Sequence, residues 1–305
     1  VNVVYTISKK KVKFLNIKSF RGKETLGDIT IKPEGEDNLL TGKITTISES
    51  EKIIIGTYGV KGSSGSNGVY FARLINDAEF IIKYYNFTDF ERFFDFLSEK
   101  EKERIDKKKQ KREARGKELN LDYQLLTHDL IQKDGRYLMI AEAYYPTYRT
   151  EPYTYTTVIN GVPVLQTRYV TVFDGWLYTH GIVAAFDKEG NMLWDNSIEM
   201  GDFKTFELEP RVSVKVEQDD VVLAYGTYDH IKTKVVRGNE VLDAKEDVAI
   251  KTGSEDDVVK RALLSSVKFW YDKYFLVWGY QKIRNDNDEG RRRRTVFYFN
   301  KIAYQ

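Results

Sequence analysis

Ile53-Ile-Ile-Gly-Thr-Tyr58 is an aliphatic run of strand length that breaks into a small residue and then an aromatic. The same phrase returns as Ile140-Ala-Glu-Ala-Tyr144, Val222-Leu-Ala-Tyr-Gly-Thr-Tyr228 and Leu276-Val-Trp-Gly-Tyr280. A polar turn precedes each (48–52, 132–135, 217–220, 271–273), and a further run of β-formers follows each (69–74, 181–186, 233–236, 295–299). None of the four has helical spacing, so each reads as a buried strand. Short strands recurring as a unit with variable insertions are the mark of a sheet-repeat architecture, of which the β-propeller is the commonest.

Outward from these runs, the chain divides into units at 39–83, 123–198, 212–250 and 263–303, after three strand-like stretches in the first 31 residues. Only three strands follow Ala262, so the last sheet looks one strand short. The expectation is that an N-terminal strand, Val3 to Ser8, completes it and closes a ring, or that sequence outside the chain does so.

Two insertions interrupt the pattern. The first, about 86–118, opens with Thr88 followed by Glu91, a capping-box spacing. Phe90, Phe93, Phe94 and Leu97 then fall on one helical face. From Ser98 to Lys117 the residues are almost all polar, which predicts a charged helix that projects once its aromatic half has docked. The second insertion, about 146–175, holds Tyr153 to Ile159, then Asn160-Gly161, then Val162 to Val172. Asn-Gly between alternating β-formers predicts a hairpin, because a type I′ turn needs positive φ at both positions. Pro163 argues that this hairpin has a free edge.

Composition narrows the function classes. The 305 residues carry a net charge of +2 with 31% charged residues, so no global field favours nucleic acid or an anionic membrane. There is no cysteine, which excludes disulfides, thiolate metal ligands and a cysteine nucleophile. It is also in keeping with an oxidising compartment. No stretch has the roughly 20 apolar residues of a membrane helix. Val rather than Met at position 1 is read as processing, truncation or an incomplete start, so the chain is expected to be part of a longer protein, and a lipid anchor outside it is open. No nucleotide loop, dinucleotide fingerprint, nucleophile elbow or His-Glu-x-x-His is present, which weighs against catalysis. No cofactor is expected.

Two surfaces stand out as partner sites. Seven of the 21 tyrosines (144, 145, 148, 153, 155, 169, 178) fall within 35 positions around the hairpin. Exposed tyrosine offers rigid amphipathic contact area, so Tyr148, Tyr153, Tyr155, Arg168 and Tyr169 are the candidate protein or sugar contacts. The plainer alternative is a hairpin that merely caps its neighbours. The segment 100–117 has a local excess of six positive charges, which makes Lys107, Lys108, Lys109, Lys111 and Arg112 candidates for an anionic partner. Against that stands a solvated helix laced with pairs such as Glu103 with Lys107. Nucleic acid is the poorer reading, because residues 107–117 contain no aromatic to stack on a base. His128, His180 and His230 recur near strand ends and are weighed as a metal or acid–base cluster against ordinary structural histidines. Asp219-Asp220 and Asp256-Asp257 read as turn residues, and Asn285 to Gly290 resembles a calcium loop in composition without its distal bidentate Glu.

The units Gly42-Lys-Ile-Thr-Thr-Ile47, Ile54-Ile-Gly-Thr-Tyr58 and Gly68-Val-Tyr-Phe-Ala-Arg73 resemble those of uncharacterised β-propeller-like repeat proteins of the Bacteroidetes-type bacterial cell envelope. Phe87-Thr-Asp-Phe-Glu-Arg-Phe-Phe94, Tyr137-Leu-Met-Ile-Ala-Glu-Ala-Tyr144 and Asp187-Lys-Glu-Gly-Asn-Met-Leu-Trp194 are similar too. The resemblance implies a propeller and a periplasmic or outer-membrane-associated setting, and it carries no catalytic residue. The combined expectation is a single all-β domain of β-propeller-like antiparallel blades with an inserted charged helix and a projecting β-hairpin. Its expected role is a non-catalytic binding or assembly module with protein partners in an envelope complex. The alternative is a propeller enzyme or carbohydrate-binding module acting on envelope or extracellular polysaccharide.

Overall fold

The computed structural model describes residues 1–304 apart from 11, 36, 77–78, 229, 251, 286 and 288–292. Five antiparallel sheets follow one another along the chain. The first is β1 (Asn2–Lys9), β2 (Val12–Arg21) and β3 (Glu24–Ile31). The second holds β4 (Asn38–Leu39) and β5 (Lys43–Thr46), both paired to β6 (Glu51–Gly59), then β7 (Gly68–Ile75) and β8 (Glu79–Asn86). An α-helix, α1 (Glu99–Glu113), precedes the third sheet. That sheet comprises β9 (Gln124–Thr127), β10 (Ile131–Lys133), β11 (Arg136–Ile159), β12 (Val162–Phe186) and β13 (Met192–Thr205). The fourth is β14 (Ser213–Glu217), β15 (Asp220–Gly226), β16 (His230–Arg237) and β17 (Glu240–Ala249). The fifth is β18 (Val258–Tyr271), β19 (Tyr274–Arg284) and β20 (Arg293–Ala303).

The four aliphatic runs lie in β6, β11, β15 and β19, as their length predicts. In β6, β11 and β15 the run is largely aliphatic because it serves two cores, whereas in β19 only one side of the run is packed. Alternate side chains of a strand point to opposite faces, so Ile54 joins Leu15, Ile17 and Tyr70 between the first and second sheets. Its neighbours Ile53 and Ile55 join Met139, Ile182 and Phe186 between the second and third. Leu138 and Ile140 turn the other way, onto Val221, Leu223 and Tyr225 of the fourth sheet. Val222 and Ala224 pack on Phe275, while Ile231 packs on Val277, both against the fifth. Fully burying one such side chain is worth about 1.5–3 kcal/mol. The strands approach closely where glycine permits it: a Cβ on Gly56 would lie 2.0 Å from the Thr41 carbonyl oxygen.

The first strands of consecutive sheets lie along one side of the stack. Asn2 donates to Thr46 (3.1 Å), Thr6 to the Leu40 carbonyl (3.0 Å) and Lys43 to Asp129 (2.8 Å). The last sheet has three strands, and the N-terminal strand does not complete it. β1 pairs with β2 in register from Asn2↔Ser19 to Lys9↔Val12, because the hairpin partner is adjacent in sequence and its core face seats on the second sheet.

The first insertion is helical only over α1 and a single 3-10 turn at Phe87–Asp89. Phe90, Phe93, Phe94 and Leu97 therefore do not lie on one helix face. The Asp195 carboxylate accepts the backbone N–H groups of Glu91 and Arg92, each at 2.8 Å, and ties this stretch to the third sheet before a helix can propagate. Phe90 and Phe93 are buried and Phe94 packs beside them. α1 is capped by a reciprocal Ser98–Glu101 box and buries no residue. Among the described residues no helix is long and apolar enough to cross a membrane.

Candidate functional site

β11 and β12 are the central pair of the third sheet and continue past its edge as a two-stranded arm. Beyond Tyr148 and Phe173 they pair with each other down to Ile159↔Val162. Twelve residues per strand at 3.3 Å each give an arm about 40 Å long. Its tip is the predicted turn, with φ of 51° at Asn160 and 80° at Gly161.

Register sorts the arm's side chains onto two faces. One presents Tyr148, Phe173, Tyr169, Pro152, Leu165 and Val158 with a set of threonines, and none of its twelve described side chains is charged. Tyr169 is 75% exposed, Leu165 72% and Tyr148 62%. The opposite face carries Tyr153, Tyr155 and Arg168. The Arg168 guanidinium lies 5.2 Å from the Tyr153 ring centroid and 5.8 Å from that of Tyr155. Tyr155 donates to Gln166 at 3.0 Å. At the base, Arg149 bonds both Glu151 (2.7 Å) and Asp174 (2.8 Å), and Lys204 reaches Asp174 at 2.6 Å. These cations hold the Asp174 carboxyl below the usual carboxylate range, Lys204 most of all. The five predicted contact residues thus divide into a cation–π cluster (Tyr153, Tyr155, Arg168) and an uncharged face (Tyr148, Tyr169).

The prolines have a specific place. A two-residue turn makes Ile159↔Val162 a hydrogen-bonded pair, so hydrogen-bonded pairs recur at every second step along the arm. Pro152↔Tyr169 and Val158↔Pro163 fall on the alternate steps, where backbone N–H groups point outward. Each free edge of the arm therefore has one donor replaced by proline.

The basic segment is solvated. Lys107 pairs with Glu103 at 3.4 Å, Lys109 donates to the Thr88 carbonyl at 2.8 Å, and Lys108, Lys111 and Arg112 are exposed. The three histidines do not converge. His128 and His180 occupy opposite faces of the third sheet, and His230 opens β16. His180 is fully buried, stacked on Phe96 with centroids 3.7 Å apart, and burial pushes its pKa down to about 3. His128 Nε2 lies 2.6 Å from the Glu142 carboxylate, which also accepts the Arg211 and Val212 backbone N–H groups at 2.8 and 2.7 Å. Glu142 is fully buried, and its partners make it a joint between the third and fourth sheets. Among the described residues no three His, Asp or Glu side chains gather as metal ligands. Of the calcium-like run, Asp286, Asp288, Glu289 and Gly290 lie outside the described residues.

A polar cleft of about 680 Å³ opens along the side formed by the first strands, lined by Tyr5, Thr6, Thr41, Lys43, Thr127 and Asp129. The Lys43 ammonium holds the Asp129 carboxyl below its ordinary pKa, first through a hydrogen bond and then through charge. No signal short of the sheet order reveals this cleft, because its residues come from three sheets.

No protein-family model and no curated protein matches the chain. Among solved structures it is similar to the crystal structure of polysaccharide lyase Uly1, at 8% identity and a TM-score of 0.40. The alignment covers 99% of this chain and 55% of that one, so the chain spans about half the length of that structure. A likeness of this size carries no weight for function.

Proposed function

We propose that the chain is a non-catalytic binding or assembly module, its consecutive sheets acting as blades of an open propeller-like arc, and that the β11–β12 arm is its contact element. The supporting observation is the arm itself. An isolated two-stranded ribbon is marginal in water, yet this one exposes aromatic and aliphatic side chains on both faces. Such surface is costly unless something covers it. The edge prolines suppress strand addition, so the partner engages a face, and the uncharged face with Tyr148 and Tyr169 is the one fitted to it. An envelope setting, periplasmic or outer-membrane-associated, with a protein partner there, goes with this reading and with the resemblance of the repeat units. The test is affinity capture from native envelope fractions with the intact arm and with a shortened one. Loss of a specific partner on shortening supports the reading, and equal recovery overturns it.

A second reading, a carbohydrate-binding module or enzyme acting on polysaccharide, draws on the hydroxyl-lined cleft. Its one carboxylate is pinned to Lys43, and no second carboxylate lines the described cleft, so it is better equipped to bind a glycan than to hydrolyse one by paired acid–base action.

A further inference from the structure

Among the described residues nothing covers the outer face of the last sheet, and that face is not an ordinary solvent face. Phe275, Val277, Gln281 and Ile283 of β19 point inward and are buried. Leu276, Trp278, Tyr280 and Lys282 alternate with them and point out. Register places Trp278 beside Phe299 and Tyr280 beside Phe297. Phe299 is 71% exposed and Phe297 55%, and the Tyr280 and Phe297 rings meet edge to face at 5.3 Å. Cations close the strip at both ends: Lys268 and Lys301 flank Leu276, while Arg261 flanks Lys282. Among the described residues Lys268, Arg261 and Lys282 make no ion pair, and none on this face is acidic. At 3.4 Å per residue the two cationic rows stand about 20 Å apart. The outer face of the first sheet differs. There Asn16 donates to Tyr5 (2.8 Å) and Asp28 (2.7 Å) and accepts from Thr30 (2.7 Å), so its polar groups satisfy one another.

We propose that the outer face of β18–β20 is a binding platform for an acidic polysaccharide. Aromatic rings on a flat sheet offer stacking surfaces to the apolar faces of pyranose rings, and the flanking Arg and Lys groups offer charge-assisted hydrogen bonds to carboxylates. A second copy of the same face is disfavoured, because the cations would meet one another. Single-stranded nucleic acid asks for a cationic track beside the bases, whereas here the aromatic centre has none. Membrane insertion asks for apolar side chains that outreach the charged ones, and on a pleated face all stand at one level. The inference rests on nothing in the arm, and it gives the carbohydrate reading a ligand class and a place.

The test uses the full chain and hyaluronan oligosaccharides, followed by calorimetry and by intrinsic tryptophan fluorescence, with Trp278→Phe to assign the part that comes from this face. Expected are salt-sensitive binding, no binding of neutral dextran, and at least a tenfold loss of affinity in Tyr280→Ala/Phe297→Ala and in Arg261→Glu/Lys282→Glu. These side chains are exposed, so thermal melts should match the parent, and a chain with a shortened arm should bind as the parent does. Binding that survives both double variants overturns the platform and leaves the carbohydrate reading standing. Absence of hyaluronan binding, equal binding of dextran, or tighter binding of oligothymidylate or phosphatidylserine vesicles overturns the proposal outright.

Discussion

The Glu142 carboxylate, fully buried in the third sheet, accepts the backbone N–H of Arg211 at 2.8 Å from the connection that leads into the fourth. Val212 donates to the same carboxylate and His128 lies against it, so one side chain satisfies donors from two separate segments. Replacing Glu142 by Ala should strand these donors in the interior. A loss of about 3 kcal/mol is expected in denaturant unfolding, in keeping with the breaking of a buried charged network. Glu142→Gln, which keeps one acceptor, should lose less.

His180 makes a pH-dependent contribution with a definite sign. Its pKa is about 3 folded, lowered by burial, against an ordinary value of 6.5. Between these values the unfolded chain binds the extra proton, so stability is full above pH 6.5 and declines as pH falls toward 3. His180→Gln should remove this slope. The measurement is the difference in unfolding free energy between parent and variant from pH 7 to pH 4, and parallel curves would refute the assignment.

Phe93 stacks on Phe87 with ring centroids 4.7 Å apart and meets Tyr123 at 5.3 Å. Phe93→Ala should cost about 3–5 kcal/mol, the usual range for emptying an aromatic site in a core. Reversing the charge of Lys108, Lys111 and Arg112 should leave the melting temperature within about 2 °C, since exposed changes away from partners stay within roughly 0.5 kcal/mol.

Much of this arrangement is readable from local chemistry. Asn160-Gly161 sets its turn without help, and once the turn is placed, counting outward puts Tyr153 opposite Arg168. The aliphatic runs announce buried strands, and in β6, β11 and β15 both faces are packed. The start of the first insertion is harder. Thr88 and Glu91 have the spacing of a capping box, but the operative one is Asn86 with Asp89, two residues earlier. The helix stops there because Asp195, more than 100 positions away, captures the next two N–H groups. Glu142 shows the same limit. A lone carboxylate within Ile140-Ala-Glu-Ala-Tyr144 signals a buried anchor, while its partners at 211 and 212 are a matter of tertiary packing. The face of the last sheet is illegible for another reason: its strand looks like the other three, and only the sheet order shows that no described residue covers one side.

Shortening the arm separates fold from contact. Replacing Thr154 to Thr167 by Asn-Gly closes the hairpin on the hydrogen-bonded pair Tyr153↔Arg168 and leaves β11 and β12 intact within the sheet. The shortened chain should keep its melting temperature within a few degrees and lose its envelope partner. A large drop in stability would mean that the arm braces the sheet.

The close approach at Gly56 has a consequence for how the second sheet finds its alignment. In a sheet with one wet face, sliding a strand by one residue exposes its apolar set and is rejected at once. β6 has Ile53, Ile54 and Ile55 on alternating sides with a core on each, so such a slide would trade one greasy surface for another. What forbids it is steric: a slide would bring the Cβ of Ile55 or Thr57 to the spot where only a hydrogen fits beneath the Thr41 carbonyl. Gly56→Ala should accordingly do more than remove a contact. It should leave a chain that still collapses but pairs its strands in several alignments, visible as broadened amide resonances rather than as simple unfolding.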